Sequence, residues 1–157
     1  MQIISVQTSP HLNEIRSLFR EYERFLNVDL CFQGFEEELA TLPGKYAPPG
    51  GALFLALENR SAAGCVAVRT LDDATCEMKR LFVRPGFRGI GLGKQLATVV
   101  IAEALRLGFK RMRLDTLESL TAAMGLYQSL GFRQVDAYYH NPLQNVIYWE
   151  LSLGEDS

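Results

Sequence analysis

A glycine-rich stretch in the second half of the chain most constrains how it can fold. The stretch Arg88-Gly89-Ile90-Gly91-Leu92-Gly93-Lys94 follows the apolar run Leu81-Phe82-Val83 and leads into a long apolar segment that ends at Leu107. Glycine lets other groups approach the backbone, and a helix start offers unpaired N–H groups and a positive dipole end. A strand, a glycine loop and a helix in this order therefore predict a cradle for a phosphate group.

Two common phosphate loops fit this stretch poorly. A P-loop ends in Gly-Lys-Ser/Thr, but Arg88 stands at its first glycine position and Gln95 at its Mg²⁺-binding hydroxyl position. A dinucleotide fingerprint needs three glycines directly after a strand. Gly89 and Gly91 match it, but Lys94 stands at the third position and the apolar run ends too early. A dinucleotide-dependent oxidoreductase therefore stays only as a distant alternative.

The stretch instead resembles the Arg/Gln-x-x-Gly-x-Gly/Ala signature of the GNAT superfamily of acyl-CoA N-acyltransferases, as Arg88-x-x-Gly91-x-Gly93. Residues 77–85 resemble the central strand of that family. Residues 123–132 resemble a later helix, with the ending Tyr-x-x-x-Gly-Phe. The resemblance extends over roughly residues 51–151, and the three motifs stand in the order that the family shows.

Hydrophobic periodicity and turn residues predict the element order βααβββαβαββ. The predicted elements are a strand from Ile4 to Val6, helices from Leu12 to Leu26 and Phe35 to Thr41, strands Leu53–Glu58, Ala62–Arg69 and Thr75–Val83, a helix Gly91–Leu107, a strand Arg111–Thr116, a helix Thr121–Leu130, and strands Phe132–Tyr138 and Val146–Leu151. Ser9 is expected to cap the first helix, with Pro10 in its first turn. Residues 42–51 are expected to lack regular structure.

A crossover helix should place Thr75–Val83 and Arg111–Thr116 side by side as parallel strands. Antiparallel hairpins should flank this unit on both sides. The expected fold class is α/β, with a mixed sheet of about seven strands and helices on both faces. This is also the fold that the GNAT resemblance implies, as one domain over residues 1–157.

Composition and charge narrow the class of protein. The chain has no apolar run near the roughly 20 residues that span a bilayer, and its first residues do not read as a signal peptide. Three scattered cysteines suggest reduced thiols and a cytoplasmic protein. The net charge of −2 argues against nucleic acid as a partner, although residues 76–95 hold five basic side chains against one acidic one.

The resemblance implies that acetyl-coenzyme A donates an acetyl group directly to a primary amine, without a metal. The residues that it places on the cofactor are Leu81, Phe82, Val83, Arg88, Gly89, Ile90, Gly91, Leu92, Gly93, Lys94 and Tyr127. The pantetheine arm should pair with the backbone of Leu81 and Val83, and an N–H near Val83 should stabilise the oxyanion. Such pairing needs a gap between the two parallel strands, usually opened by a bulge.

Two side chains are candidates for proton transfer. In the family, a tyrosine at the position of Tyr127 protonates the leaving thiolate, although core packing would also explain this residue. Glu77 is the candidate base that removes a proton from the amine. Its alternatives are a salt bridge to Arg80 or Arg111, or exposure at the sheet edge.

The acceptor is not legible from the sequence. The resemblance places Tyr22, Phe25, Tyr138 and Tyr139 near the acceptor, where core packing and a plain turn are the alternatives. The acids Glu36–Glu38 could attract a cation, or could be a solvated helix start. His11 and His140 lack the spacing of metal ligands. A sensor domain that binds acyl-coenzyme A without catalysis is the other open function, and pairing of Val146–Leu151 as an edge strand would give a homodimer.

Overall fold

The computed structural model describes residues 1–7, 10–30 and 34–154 of the chain. Its elements are β1 Gln2–Ser5, α1 His11–Leu26, α2 Phe35–Thr41, β2 Ala52–Glu58, β3 Ser61–Thr70, β4 Thr75–Val83, α3 Leu92–Arg106, β5 Arg111–Leu117, α4 Thr121–Ser129, β6 Arg133–Val135 and β7 Val146–Ser152. Two short 3₁₀ turns, Gly44–Tyr46 and Pro85–Phe87, complete the described elements. The predicted element order is confirmed.

The seven strands form one mixed sheet in the order β1-β2-β3-β4-β5-β7-β6. Strands β4 and β5 run parallel, as the crossover through α3 predicts, and the other neighbours run antiparallel. The predicted fold class, α/β with a mixed seven-stranded sheet, is therefore confirmed.

Each face of the sheet carries its own apolar core. On one face Leu96 and Val100 of α3 are fully buried, and Tyr127 of α4 and Phe132 after it are 7% and 4% exposed. On the other face α1 and α2 bury Ile15, Phe19, Phe35 and Leu39 against β2 and β3. Each such side chain stabilises the fold by about 1.5–3 kcal/mol relative to exposure.

The centre of the sheet is irregular at the place where β4 meets its two neighbours. Parallel pairing with β5 covers only Thr75, Cys76 and Glu77, after which β4 and β5 separate. On the other side Ala67 pairs with Lys79 and Cys65 pairs with Phe82. Two residues of β4, Arg80 and Leu81, therefore oppose Val66 alone, which is a β-bulge. Arg80 has a positive φ of 61° at this point.

Four details differ from the prediction or lie outside the description. Strand β6 ends at Val135 and not at Tyr138, because Tyr138 and Tyr139 leave the sheet to stack on Tyr148, with ring centroids 5.3 and 5.7 Å apart.

Strand β7 is not an edge, since it lies between β5 and β6. This contradicts the predicted homodimer contact through Val146–Leu151. Residues 42–51 contain one 3₁₀ turn, and Ser9 lies outside the described residues.

The described cysteines behave as small core residues. Cys65 and Cys76 are free and buried in β3 and β4, as predicted. Burial raises the pKa of the Cys76 thiol to about 12. Cys31 lies outside the described residues. Across the described ranges, none of the helices has both the length and the apolar character to cross a membrane.

Candidate active site

A cleft of about 560 Å³ opens where β4 and β5 separate. Its walls are β4, the glycine loop, the start of α3, the end of β5 and helix α4. The structure brings together in this cleft all the residues predicted to bind the cofactor except Ile90, namely Leu81, Phe82, Val83, Arg88, Gly89, Gly91, Leu92, Gly93, Lys94 and Tyr127. The side chain of Ile90 is 62% exposed and does not line the cleft.

The glycine loop forms the end of the cleft nearest the start of α3. Gly91 occupies the N-cap position of this helix with φ of 81°, and Gly89 has φ of 82°. These left-handed conformations favour glycine, and the positions that Cβ atoms would occupy are open. The amide of Gln95 makes the helical bond to the Gly91 carbonyl at 3.1 Å, and no described side chain caps the helix. The N–H groups before Gln95 are therefore available to an anion.

Arg88 connects this loop to the end of β4. Its Nε donates to the Val83 carbonyl at 2.8 Å, and its guanidinium lies over the rings of Phe25 at 4.6 Å and Phe82 at 5.7 Å. Phe25, which the sequence predicted near the acceptor, therefore lies against the cation of the glycine loop. Arg88 and Lys94 are both exposed cations beside the glycine loop.

Tyr127 lies at the inner end of the cleft. Its side chain is 7% exposed, and its ring packs edge-on to Phe132 at a centroid distance of 5.6 Å. It also lines a second, much smaller cavity beyond the cleft. Burial raises the pKa of the Tyr127 hydroxyl, so this group keeps its proton at neutral pH. Core packing and a position suited to proton donation are thus combined in one residue.

Glu77 is buried away from the cleft and is 2% exposed. It accepts hydrogen bonds from Arg69 at 2.9 Å and from the Tyr138 hydroxyl at 2.7 Å, and Lys79 lies 3.9 Å away. Burial raises the pKa of this carboxyl, but Lys79, Arg69 and the Tyr138 hydrogen bond outweigh burial and lower it. Of the two alternatives to a catalytic base, a salt bridge is present, but its partner is Arg69 and not Arg80 or Arg111, and exposure at the sheet edge is wrong.

The carboxylate that does line the cleft is Asp115 on β5, which sequence reasoning missed. It accepts hydrogen bonds from the Tyr139 hydroxyl and from Asn141 Nδ2, the latter at 3.3 Å. The available signal was the alternation in Arg111–Thr116, which puts Asp115 on the half-buried face beyond the last β4–β5 pair. Tyr138 and Tyr139, predicted near the acceptor, line neither the cleft nor the neighbouring cavities, and instead hold the two carboxylates.

Three cavities meet at Tyr22 and Asp115. These two residues line the large cleft, the small cavity that holds Tyr127, and a narrow channel between the end of α1 and the loop before β7. Arg80 lines the small cavity and the channel. Tyr22, which the sequence predicted near the acceptor, therefore stands at the junction of the channel and the cleft. Within the described ranges, no three His, Cys, Asp or Glu side chains cluster as a metal site would require.

The sequence model of the acetyltransferase (GNAT) family matches residues 12–132, well over half of the chain. The chain belongs to the GNAT acetyltransferase family. An uncharacterized GNAT relative, an N-acetyltransferase of Schizosaccharomyces pombe, is 41% identical over 157 residues, which are 99% of this chain and 96% of that protein. The resemblance drawn from the sequence motifs is thereby confirmed.

Solved structures agree with this GNAT assignment. An acetyltransferase from Streptococcus agalactiae has a TM-score of 0.82 at 25% identity, covering 97% of this chain and 98% of that one. A putative acetyltransferase from Salmonella typhimurium, solved with acetyl-CoA, has a TM-score of 0.75 at 21% identity, covering 100% of this chain and 96% of that one. At this identity, the second likeness shows the fold.

Proposed function

We propose that this GNAT acetyltransferase transfers the acetyl group of acetyl-coenzyme A directly to a primary amine. The observation that carries the proposal is the separation of β4 from β5 after Glu77, which leaves one side of Leu81–Val83 facing a cleft. An extended ligand that enters such a gap can hydrogen-bond to the open strand as a peptide would. The cleft has the anion-binding loop at one end and Tyr127 at the other.

The cofactor lies along this cleft. Its pyrophosphate binds the N–H groups at the start of α3, where the helix dipole and the exposed Arg88 and Lys94 favour negative charge. Its pantetheine arm pairs with the backbone of Leu81 and Val83. The thioester then reaches the junction beside Tyr127 and Asp115. The Salmonella typhimurium neighbour, which was solved with acetyl-CoA, shares this fold.

The chemical step needs two proton transfers. The amine arrives as an ammonium, since alkylamines have pKa values near 10, and it gives one proton to Asp115 before attack. Its nitrogen then bonds to the acetyl carbon, the carbon–sulfur bond breaks, and the thiolate takes a proton from the Tyr127 hydroxyl. The nitrogen loses a second proton, which restores Tyr127 through solvent, while the proton on Asp115 passes to the medium. The products are an N-acetyl amide and free coenzyme A.

We assign the base to Asp115 and not to Glu77, because only Asp115 lines the cleft. The ion pairs of Glu77 also lower its pKa, which makes it a weaker base. A sensor domain without catalysis would need neither group at the thioester. The presence of both Tyr127 and Asp115 at one junction therefore favours an enzyme.

Two measurements test this proposal. Calorimetry should detect binding of acetyl-coenzyme A to the purified chain, and thiol release should follow addition of an acceptor amine. Asp115→Asn should lower kcat at least about a hundredfold, because it removes the proton acceptor, whereas Glu77→Gln should change kcat much less. If calorimetry finds no binding, the proposed function is wrong. If only Glu77→Gln lowers kcat to this extent, the base is Glu77.

We also propose a cytoplasmic location. The support is the presence of two free thiols among the described residues, Cys65 and Cys76, which fits a reducing compartment. Fractionation of cells that express a tagged chain tests this location, and recovery of the tag in the medium would contradict it.

A further inference from the structure

The bulge in β4 changes the direction of one arginine. Successive side chains of a regular strand point to opposite faces, so Lys79 and Arg80 would be separated by the sheet. Here Lys79 pairs with Ala67, whose side chain lies in the core under α1 and α2, and Arg80 contacts Glu38 and Phe35 of α2. The extra residue therefore puts two consecutive cations on the same face of the sheet. A positive φ at Arg80 accompanies this turn of the chain.

Arg80 is held so that one end of its guanidinium stays available. Its Nε and Nη2 donate to the two oxygens of Glu38, both at 3.0 Å, and its guanidinium carbon lies 5.3 Å from the Phe35 ring centroid. Among the described residues, Nη1 of Arg80 has no hydrogen-bond acceptor. The residue is 4% exposed, and what it exposes lines the small cavity and the channel. A guanidinium that is fixed by a carboxylate and lines a cavity suits a planar anion.

The charge around Arg80 is not balanced. Glu38 accepts two cations, Arg80 and also Lys45, whose Nζ lies 3.1 Å away. Among the described residues, Glu38 thus faces one cation in excess. Buried charge is costly unless it is paired, so this wall of the site favours a ligand with negative charge.

The opposite charge is available across the same space. Asp115 lines both cavities that Arg80 lines, and its hydrogen-bond partners are the neutral donors Tyr139 and Asn141. The channel is small, with a volume of about 30 Å³. Its rim is apolar and is formed by Leu26, Val28, Leu30, Leu143 and Val146.

We propose that the acceptor is a free α-amino acid, whose carboxylate binds Nη1 of Arg80 and whose ammonium binds Asp115. This inference rests on the proposed acetyl transfer and names its substrate class. The side chain of the acceptor lies along the apolar rim, so amino acids with apolar side chains are the preferred acceptors. Arg80 is then a specificity-determining residue that Glu38 positions.

A panel of acceptors tests this on the unaltered protein. Thiol release from acetyl-coenzyme A is measured with the twenty amino acids, with their α-amides, and with 3-methylbutylamine, which is leucine without its carboxylate. We expect kcat/KM for leucine to exceed that for leucinamide and for 3-methylbutylamine at least about a hundredfold, because a site built for a charged partner rejects analogues that lack it. Equal values for leucine and its amide would overturn the inference.

Two variants test whether Arg80 causes the preference for acceptors that have a carboxylate. Arg80→Lys should raise KM for leucine at least about tenfold, because lysine keeps the charge but loses the planar fork. Arg84→Lys is the matched control. Arg84 also forms a two-point ion pair, with Glu21 at 2.9 and 2.6 Å, but lines none of the three cavities. A thermal melt checks that both variants fold. If Arg80→Lys does not fold, the acceptor panel on the unaltered protein still tests the inference.

Calorimetry with acetyl-coenzyme A separates a failure of the proposed acetyl transfer from a failure of the proposed acceptor class. If the cofactor binds and amines without a carboxylate react as well as amino acids, the acetyl transfer stands and the acceptor class is wrong. If the cofactor binds and no amino acid reacts, the acceptor class is also wrong. If the cofactor does not bind, the proposed function itself fails and takes the inference with it.

Discussion

Glu38 of α2 and Arg80 of β4 form a two-point ion pair in which both hydrogen bonds measure 3.0 Å, although 42 positions separate them in the sequence. The Glu38 and Arg80 side chains are each 3% exposed. This pair ties the short helix to the bulge at the centre of the sheet. Of the three acids predicted as a solvated helix start, Glu36 and Glu37 are exposed, whereas Glu38 is buried and already paired with Arg80 and Lys45.

Loss of Glu38 should therefore destabilise the fold strongly. Glu38→Gln leaves the buried guanidinium of Arg80 without its counter-charge, and breaking a buried pair costs about 3–5 kcal/mol. Urea unfolding followed by circular dichroism measures the change in the free energy of unfolding. Glu37→Gln is the control, because Glu37 is exposed on the same helix turn. Equal unfolding midpoints for the two variants would show that Arg80 does not depend on Glu38.

Acid should lower the free energy of unfolding through Glu77, another buried carboxylate that is paired with cations. Burial raises the pKa of Glu77, but its cationic neighbours and Tyr138 outweigh this and hold the folded-state pKa below the usual 4.5. Below pH 4.5 the unfolded chain therefore binds more protons at this site, and stability is lost as pH falls toward the folded pKa. Unfolding free energies measured from pH 7 down to pH 3 should fall less steeply for Glu77→Gln than for the unaltered chain. Parallel curves would contradict this.

Charge at the glycine loop should control cofactor binding. Gly91→Glu places a carboxylate at the start of α3 and should raise the Kd for acetyl-coenzyme A at least about tenfold, because like charges repel there. Gly108→Glu controls for backbone strain. Gly108 lies just past the other end of the same helix, has φ of 91° and has open space around it. Calorimetry should find near-normal affinity for Gly108→Glu, and an equal loss in both variants would point to strain alone.

Removal of one hydroxyl should separate chemistry from binding. Tyr127→Phe keeps the ring packing against Phe132 but removes the proton donor, so kcat should fall at least about tenfold while KM for acetyl-coenzyme A changes little. Tyr148→Phe removes the hydroxyl of another buried tyrosine that lines none of the three cavities. Steady-state kinetics of both variants make the comparison. An unchanged kcat for Tyr127→Phe would exclude it as the acid.

Local patterns were enough to predict the fold. The alternation of apolar and charged residues predicts β5, and the glycines predict the start of α3. Because a helix connects β4 to β5 as a crossover, the two strands pair in parallel. The same reasoning failed where an element depends on contacts distant in sequence. Tyr138 looks like strand, but its hydroxyl bonds to Glu77, 61 positions away, and it leaves the sheet.

The cleft lining at the end of β4 and the glycine loop was predictable from the sequence, whereas the side that we propose binds the acceptor was not. Residues 81–94 form one continuous stretch, and Gly89 and Gly91 mark its two left-handed positions. The acceptor side is assembled from α1, α2, β4, β5 and the loop before β7, so its pairs cannot be read from spacing. Asp115 and Arg80 were visible only as strand residues, because a bulge, which the sequence does not mark, decides where Arg80 points.

The early end of the β4–β5 ladder also has a mechanical consequence. Strands β1–β4 and strands β5–β7 are joined within the sheet by only three residue pairs, all between β4 and β5. A thioester cofactor that fills the opening would act as an additional strand and join the two parts of the sheet. The free energy of unfolding would then rise with the cofactor concentration, by about 1.4 kcal/mol for each tenfold excess of cofactor over its Kd.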